Sequence, residues 1–346
     1  MINYKIKTLP EDFIVIESMV LHHNKLPNNN GYFYYILRKS GYTTFEAIDS
    51  ISNIFNIEPS LIGYGGLKDE DGITEQFISL PLKIDEKLLN SIFWTTPRFL
   101  ELIYYKDGGS KIEIGELCGN NFHITIRNIP EDFIEVLSQI GKFSTFFINY
   151  YGVQRFGLPN NAKTTHLIGK NLINEDYKNA LLFLIAQPNK VGIEAKNYIN
   201  NEKEYFNNLD KRLLAFYQTS YYSFLWNKHL EDFIRRNCTD ICTQVEENEI
   251  SYTYPCLWRE KIDLMKNKKI FDCEKAIVVE NRIVHSKNER QFIMQIMARF
   301  HKVFIDPIYT NKLACVVEFF LPSGCYATVA IPQLLRDICV KYNLKW

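Results

Sequence analysis

Residues 63–80, GYGGLKDEDGITEQFISL, set one Lys-Asp pair, Lys68 and Asp69, between a glycine-rich approach and a strand. Ile73, Phe77 and Ile78, interleaved with Thr74 and Gln76, have the spacing of a half-buried strand. The approach Gly63-Tyr64-Gly65-Gly66 is expected to take positive φ and to come close to a ligand. Asp69 then sits at a strand-loop junction, where a rigid scaffold commonly holds catalytic groups. Asp-Glu-Asp-Gly is equally an ordinary turn, so the local pattern leaves both readings open.

Outward from this stretch, the first 150 residues alternate strand-like and helix-like segments. Strands are expected at 12–17, at 31–38 (GYFYYILR), near 73–80 and 100–106, and at 121–128 (NFHITIRN). Thr43 and Glu46 have capping-box spacing ahead of Ile48, Ile51, Ile54 and Phe55, which predicts a helix. Pro130-Glu131-Asp132 opens another. From about 160 to 300 the pattern turns mainly helical, with helices expected near 174–187, 209–236 and 289–301. At the end, 313–321 and 326–331 read as a hairpin around Pro322-Ser323-Gly324, followed by a helix from Pro332. Two strand-rich ends around a helical middle suggest an insertion into one sheet domain.

Composition narrows the function classes. A chain of 346 residues that is 46% hydrophobic is long enough for two globular domains. No apolar run approaches the roughly 20 residues needed to span a bilayer, and the start lacks the apolar core of a signal peptide. The eight scattered cysteines read as reduced thiols, which suits the cytoplasm. Cys238 and Cys242 have zinc-like spacing but no second pair or histidine nearby in sequence, so no metal is expected. With 40 basic and 40 acidic residues, a nucleic acid would have to meet a local basic face. The 63–72 loop does not fit the phosphate-cradling GxxxxGK[ST], and neither GxSxG nor HExxH occurs. His22-His23 and the run Lys266–Lys269 read as polar loop and solvated face.

Three constellations are able to carry chemistry. Asp69 needs a cation within a few ångströms to favour its ionised form; Lys7, Lys39 or an arginine fits equally on local grounds. Lys68 points the other way if the backbone is extended. Gly119-Asn120-Asn121-Phe122 offers amides for a base edge and a ring that either stacks on a base or fills a core. Asn149-Tyr-Tyr-Gly-Val-Gln-Arg155-Phe-Gly157 interleaves aromatics with an arginine, suited to exposed bases and phosphate or to a packed hinge.

Taken together, these segments resemble the TruD-type tRNA pseudouridine synthases. Lys7-Thr-Leu-Pro10-Glu11-Asp12-Phe13-Ile-Val resembles the family's K-x-x-P-E-D-F-x-V, and Lys39-Ser-Gly-Tyr-Thr-Thr44 its next strand-to-helix turn. Gly66-Leu-Lys68-Asp69 with Thr74 and Gln76 is similar to G-x-K-D-x-x-A-x-T-x-Q. Gly119 to Phe122 resembles G-N-x-F, Asn149 to Gly157 resembles N-Y-F-G-x-Q-R-F-G, and Leu321 to Thr328 resembles L-P-x-G-S-Y-A-T. Six motifs in the right order cover most of the chain.

The resemblance implies an α+β fold: a pseudouridine-synthase catalytic domain with a mixed, largely antiparallel sheet, formed by residues 1–153 and 302–346. A mainly helical α/β insertion at 154–301 completes it. It also implies Asp69 as the catalytic carboxylate, with Lys7, Asn120 and Phe122 in support and Phe122 stacking on the flipped uracil. Lys39, Lys68, Tyr151, Gln154 and Arg155 are expected at the RNA surface. The implied reaction isomerises a uridine of tRNA, at position thirteen of the D arm, without metal or cofactor, by a cytoplasmic monomer. Glu70-Asp71 depart from the family's usual basic pair, Gly72 from its usual alanine, and Cys325 from its usual serine.

Overall fold

A computed structural model describes residues 3–20, 31–95, 98–113, 115–157, 163–187, 190–245, 248–267, 270–279 and 282–345. His22 and His23 lie outside the described residues, as do Lys268 and Lys269. The strands in chain order are β1 Phe13–Met19, β2 Tyr32–Ser40, β3 Gly63–Tyr64, β4 Ile73–Leu80, β5 Trp94–Thr95, β6 Arg98–Gly108, β7 Leu117–Ile129 and β8 Lys142–Ile148. Then follow β9 Ile241–Val245, β10 Ser251–Pro255, β11 Ile270–Val279, β12 Arg282–Gln291, β13 Ile293–Ile305 and β14 Leu313–Pro322. Ten of them form one sheet in the order β5-β6-β2-β4-β1-β7-β14-β13-β8, with β3 paired to β4. β1 and β4 run parallel, while β1 with β7, β2 with β4 and β6, and β14 with β7 and β13 are antiparallel. The α+β class is therefore as expected.

Two compact units divide the chain. One comprises Met1–Thr145, Ile296–Gly324 and Ile338–Trp346; the other comprises Phe146–Gln295 and Cys325–Asp337. This partition differs from 1–153, 154–301 and 302–346 for a local reason. Tyr151 exchanges two hydrogen bonds with the amide of Asn227, N to Oδ1 at 2.8 Å and Nδ2 to O at 2.9 Å, so 149–157 packs with the helix Lys211–Asn237. Gln333 likewise bonds both backbone groups of Ile148.

In the first unit, alternation along the strands puts one face of the sheet into a core. Tyr35, Leu37, Ile78, Leu80, Leu100 and Leu102 are buried there against Ala47, Ile48 and Ile51 of the helix Thr44–Phe55. That helix starts where the capping box requires: Thr43 Oγ1 accepts from Glu46 N at 3.1 Å and Glu46 returns a bond to Thr43 N at 2.8 Å. Arg127 on β7 makes a bidentate bond to Asp12 at 2.7 Å and reaches Asp306 at 3.2 Å, all three groups buried. This pins the turn before β1 to the middle of the sheet.

Two expected elements differ. Residues 289–291 end β12 and 293–301 belong to β13 rather than to a helix, because Ile296, Ala298 and Phe300 are buried at every second position, and local helix propensity in MQIMAR yields to the place of β13 in the sheet between β14 and β8. Residues 326–331 begin the helix Ala327–Tyr342 instead of closing a hairpin. Ala327, Ala330, Ile331, Leu334, Leu335 and Ile338 are buried at helical spacing, and Pro332 lies inside the helix rather than at its start.

The second unit clusters Ile168, Leu172, Leu181, Leu184, Phe206 and Tyr217. Its fully buried His166 stacks on Phe224 at 4.7 Å and donates from Nε2 to the Asn248 carbonyl at 3.1 Å, and burial pushes its pKa down to about 4. The folded state thus resists a proton that the unfolded chain accepts near 6.5. Stability contributed here is full above that value and falls as pH drops from 6.5 towards 4, by about 3 kcal/mol at the acid limit. Urea unfolding between pH 7 and 4 should show this loss, and His166→Phe should flatten it.

Candidate active site

Rows of the sheet place the expected residues. Reading across the strands, Leu100 pairs with Lys39, Lys39 with Thr74, Thr74 with Val15, Val15 with Phe122, and Phe122 with Phe319. Two residues along, on the same face, Leu37 pairs with Gln76, Glu17 with Asn120, and Asn120 with Leu321. Lys39 and Phe122 are three strands apart, so their backbones are about 14 Å apart at ~4.8 Å per strand.

Asp69 hangs over this face at the end of the 65–72 loop. Its Oδ2 is 2.9 Å from Lys7 Nζ, and its side chain is 34% exposed against 14% for Lys7. Of the cations that fit on local grounds, Lys7 is the one paired with the carboxylate. Lys7 has φ +60°, a left-handed conformation costing a non-glycine residue on the order of 1–3 kcal/mol. Its ammonium also lies 4.3 Å from the Phe13 ring centroid. Phe13 meets Phe122 edge-on at 6.0 Å, and Phe122 stacks on Phe319 at 5.3 Å. Asp69, Lys7 and Phe122 thus belong to one neighbourhood, with Phe122 only 6% exposed.

The loop is clamped from beneath. Lys39 Nζ donates to the carbonyls of Asp69 at 2.7 Å, Tyr42 at 2.8 Å and Lys68 at 3.4 Å, and Gly41 N donates to the Glu70 carbonyl at 3.0 Å. Thr44 Oγ1 accepts from Lys68 N at 2.9 Å and donates to Gln76 Oε1 at 3.2 Å, while Gln76 Nε2 reaches the Gly66 carbonyl at 3.3 Å. These are residues of the matched motifs, and the contacts explain the residue types: a long cation, a hydroxyl and an amide hold backbone. Burial pushes Lys39 down to about 8, against the opposing pull of the Asp69 and Glu70 carboxylates.

Lys68 faces away from Asp69, as alternation predicts, and pairs with Glu17 at 2.8 Å with both side chains buried. Glu17 also accepts from Phe77 N at 2.7 Å. Lys39 and Lys68 were expected at the RNA surface; Lys39 is 0% exposed and Lys68 8%. Their ammonium groups support the loop and do not present themselves to a phosphate. Glu17 is a supporting residue that sequence reasoning missed, although an acid at the third inward position of Phe13-Ile-Val15-Ile-Glu17 was a signal.

The glycines also correct an expectation. None of Gly63, Gly65 and Gly66 has positive φ. A Cβ on Gly63 would meet the Ile112 carbonyl at 2.5 Å and Ser79 Oγ at 2.3 Å, so close packing within the protein requires glycine there. At Gly72 a Cβ would meet the Phe13 carbonyl at 2.3 Å, which accounts for the departure from alanine in this chain. Next to it, burial and the neighbouring Glu46 and Asp71 carboxylates push Glu70 up. Asn120 on β7 has a buried Oδ1 without a hydrogen-bond partner.

Tyr151, Gln154 and Arg155 belong to the second unit. Tyr151 is buried, with its hydroxyl 3.4 Å from Cys273 Sγ, so its ring is not a surface platform. Gln154 accepts from Thr328 Oγ1 at 3.3 Å, and Arg155 Nε donates to Ser223 Oγ at 3.3 Å. Among the described residues no group of three or more His, Cys, Asp or Glu is arranged to hold a metal ion, and no helix is long and apolar enough to cross a membrane.

Residues 1–202 match the family model of tRNA pseudouridine synthase D (TruD). The chain belongs to this family. It is similar over nearly its whole length to a tRNA pseudouridine synthase D of Aquifex aeolicus, at 27% identity over 95% of this chain and 97% of that protein. A probable tRNA pseudouridine synthase D 1 of Methanococcus maripaludis is 26% identical over 96% of this chain and 99% of its own. Among solved structures, a Methanosarcina mazei protein described as a TruD matches the fold with a TM-score of 0.55, covering 96% of this chain and 93% of that chain at 20% identity. The TruD sheet and the clamped Asp69 loop are thus features of one chain.

Proposed function

We propose that this chain isomerises a uridine of tRNA, at position thirteen of the D arm, to pseudouridine, with Asp69 as the carboxylate that acts on the ribose. The observation that carries this reading is the 2.9 Å pair between Lys7 and a partly exposed Asp69 whose backbone is fixed by Lys39, within a chain of the TruD family. An acid held this firmly in the loop that leads into a strand is preorganised for reaction.

The target base leaves its stack to reach the site. Phe122 stacks on the extruded uracil, and the unpartnered Oδ1 of Asn120 accepts a hydrogen bond from its edge. Asp69 then either attacks ribose C1′ or removes the 2′ proton, and the bond from N1 to C1′ breaks. The uracil turns, C5 bonds to C1′, the C5 proton is released to solvent, and N1 takes up a proton in exchange. Asp69 returns to its starting form, so the net reaction is an isomerisation. Lys7 holds the carboxylate on its bearing throughout. The eight cysteines are thiols and form no disulfide, in keeping with work in the cytoplasm.

The test is tritium release from tRNA transcript labelled at uridine C5. One equivalent per transcript is expected, and none when position thirteen is replaced by cytidine. No release from any tRNA would overturn the reading. For the ring, Phe122→Leu keeps most of the buried volume against Phe13 and Phe319 but removes the stack. It should lower kcat/KM by roughly 1 to 3 kcal/mol with little change in melting. Unaltered turnover would make Phe122 a core residue only.

A further inference from the structure

In the second unit, Arg290 at the end of β12 is a guanidinium without a counter-ion among the described residues. Its Nη2 donates to the carbonyl of Asn149 at 3.1 Å and to Asn149 Oδ1 at 2.9 Å. Its flat face lies 3.9 Å from the Tyr151 ring centroid and 5.5 Å from that of Trp226. Among the described residues no carboxylate lies within ion-pair distance, and its Nε is buried without a hydrogen-bond partner. Other buried cations are satisfied: Lys68 by Glu17, Arg127 by Asp12 and Asp306, Lys261 by Asp337. A fork of N–H groups close to two aromatic rings, oriented by an asparagine and without an acid among the described residues, matches the geometry that binds a phosphate.

Arg155, in the turn Val153–Phe156, packs in a similar way against the helix Lys211–Asn237. It lies 4.9 Å from the Phe216 ring, donates from Nε to Ser223, and has no carboxylate partner among the described residues. Phe216, Ser223 and Trp226 all project from Lys211–Asn237, with Ser223 and Trp226 one turn apart, about 4.5 Å along the axis. Ser220 Oγ and Trp226 Nε1 donate to the carbonyls of Arg155 and Asn149, so the backbone of Arg155 and that of Asn149, which orients Arg290, are fixed on this helix. In a chain with 40 basic and 40 acidic residues, cations that no acid neutralises are the ones left for a polyanion.

We propose that Arg290, together with Arg155, both packed against the Lys211–Asn237 helix, is a phosphate-contact site for the backbone of the RNA substrate. The inference rests on the reading that the substrate is RNA, but its test needs no turnover. Binding of a tRNA transcript is measured from 50 to 200 mM KCl for wild type, Arg290→Gln, Arg290→Lys and Arg155→Gln. Each glutamine variant should shallow the slope of log K against log salt by about 0.7 to 0.9 and weaken binding at least fivefold at 0.1 M salt. Arg290→Lys should keep the wild-type slope, a rescue that a purely structural role, dependent on the Asn149 bonds, would not give. An unchanged slope in a folded Arg290→Gln overturns the proposal. If that variant does not fold, an unchanged slope in Arg155→Gln does so. Inorganic phosphate is the second probe: if it raises the melting temperature of wild type but not of Arg290→Lys, with every RNA slope unchanged, the site takes a free anion and the RNA assignment fails. Slopes that shift as expected while wild type releases no tritium would leave the phosphate site standing and sink the isomerase reading instead.

Discussion

Asp69→Asn is expected to lower tritium release at least about 10³-fold while the chain stays folded and still binds tRNA. The amide has nearly the same shape, and the loop beneath it is held through backbone groups, by Lys39 and Thr44, which the substitution leaves in place. What is lost is specific to the reaction. An amide neither attacks ribose nor accepts a proton at neutral pH, and Lys7 loses its partner at 2.9 Å. Removing a negative charge that faces a polyanion leaves binding unchanged or slightly tighter. Single-turnover release, set beside filter binding of the same tRNA, separates the two quantities. Equal release by both proteins takes Asp69 out of the chemistry, and loss of binding in parallel with activity would make it a recognition group.

Lys39→Met should be the next most damaging change, although Lys39 touches no substrate. Three carbonyls, of Asp69, Tyr42 and Lys68, lose the donor they share, a side chain that is itself fully buried. Each buried acceptor left unsatisfied costs ~1–3 kcal/mol, so a stability loss of roughly 3 kcal/mol or more is expected, read as a lower urea midpoint at unchanged slope. Because the donor holds the backbone of Asp69 itself, the carboxylate should drift, and a displacement of about 1 Å costs on the order of 10²-fold in rate. The two effects are separable: kcat measured well below the melting transition should fall while tRNA affinity holds. Full kcat in a destabilised Lys39→Met protein would reduce Lys39 to a packing role.

Much of this was legible in the amino-acid sequence where the signal is local. β4 runs from Ile73 to Leu80 as its alternation predicts, the Thr43 capping box forms, and Lys68 and Asp69 point apart as neighbours on extended backbone must. The failures are tertiary. Methionine and glutamine in 293–298 favour helix, yet the place of β13 in the sheet, between β14 and β8, decides the conformation there. Pro332 looks like a helix start, but burial at Ala327, Ala330 and Ile331 extends the helix in front of it. A lysine in a string of letters suggests the surface, and nothing local says that Lys39 and Lys68 turn inward to carbonyls and to Glu17. Arg290 lies far in sequence from Asn149, Tyr151 and Trp226, so their meeting is visible only in the fold.

The central claim, that this chain makes pseudouridine in tRNA through Asp69, is tested most directly by mapping pseudouridine in cellular RNA. Three strains are compared: one with the gene, one without it, and one carrying only the Asp69→Asn form. The account predicts pseudouridine at position thirteen of one or more tRNAs in the first strain, and uridine there in the other two. Pseudouridine maps that are identical in all three would contradict it.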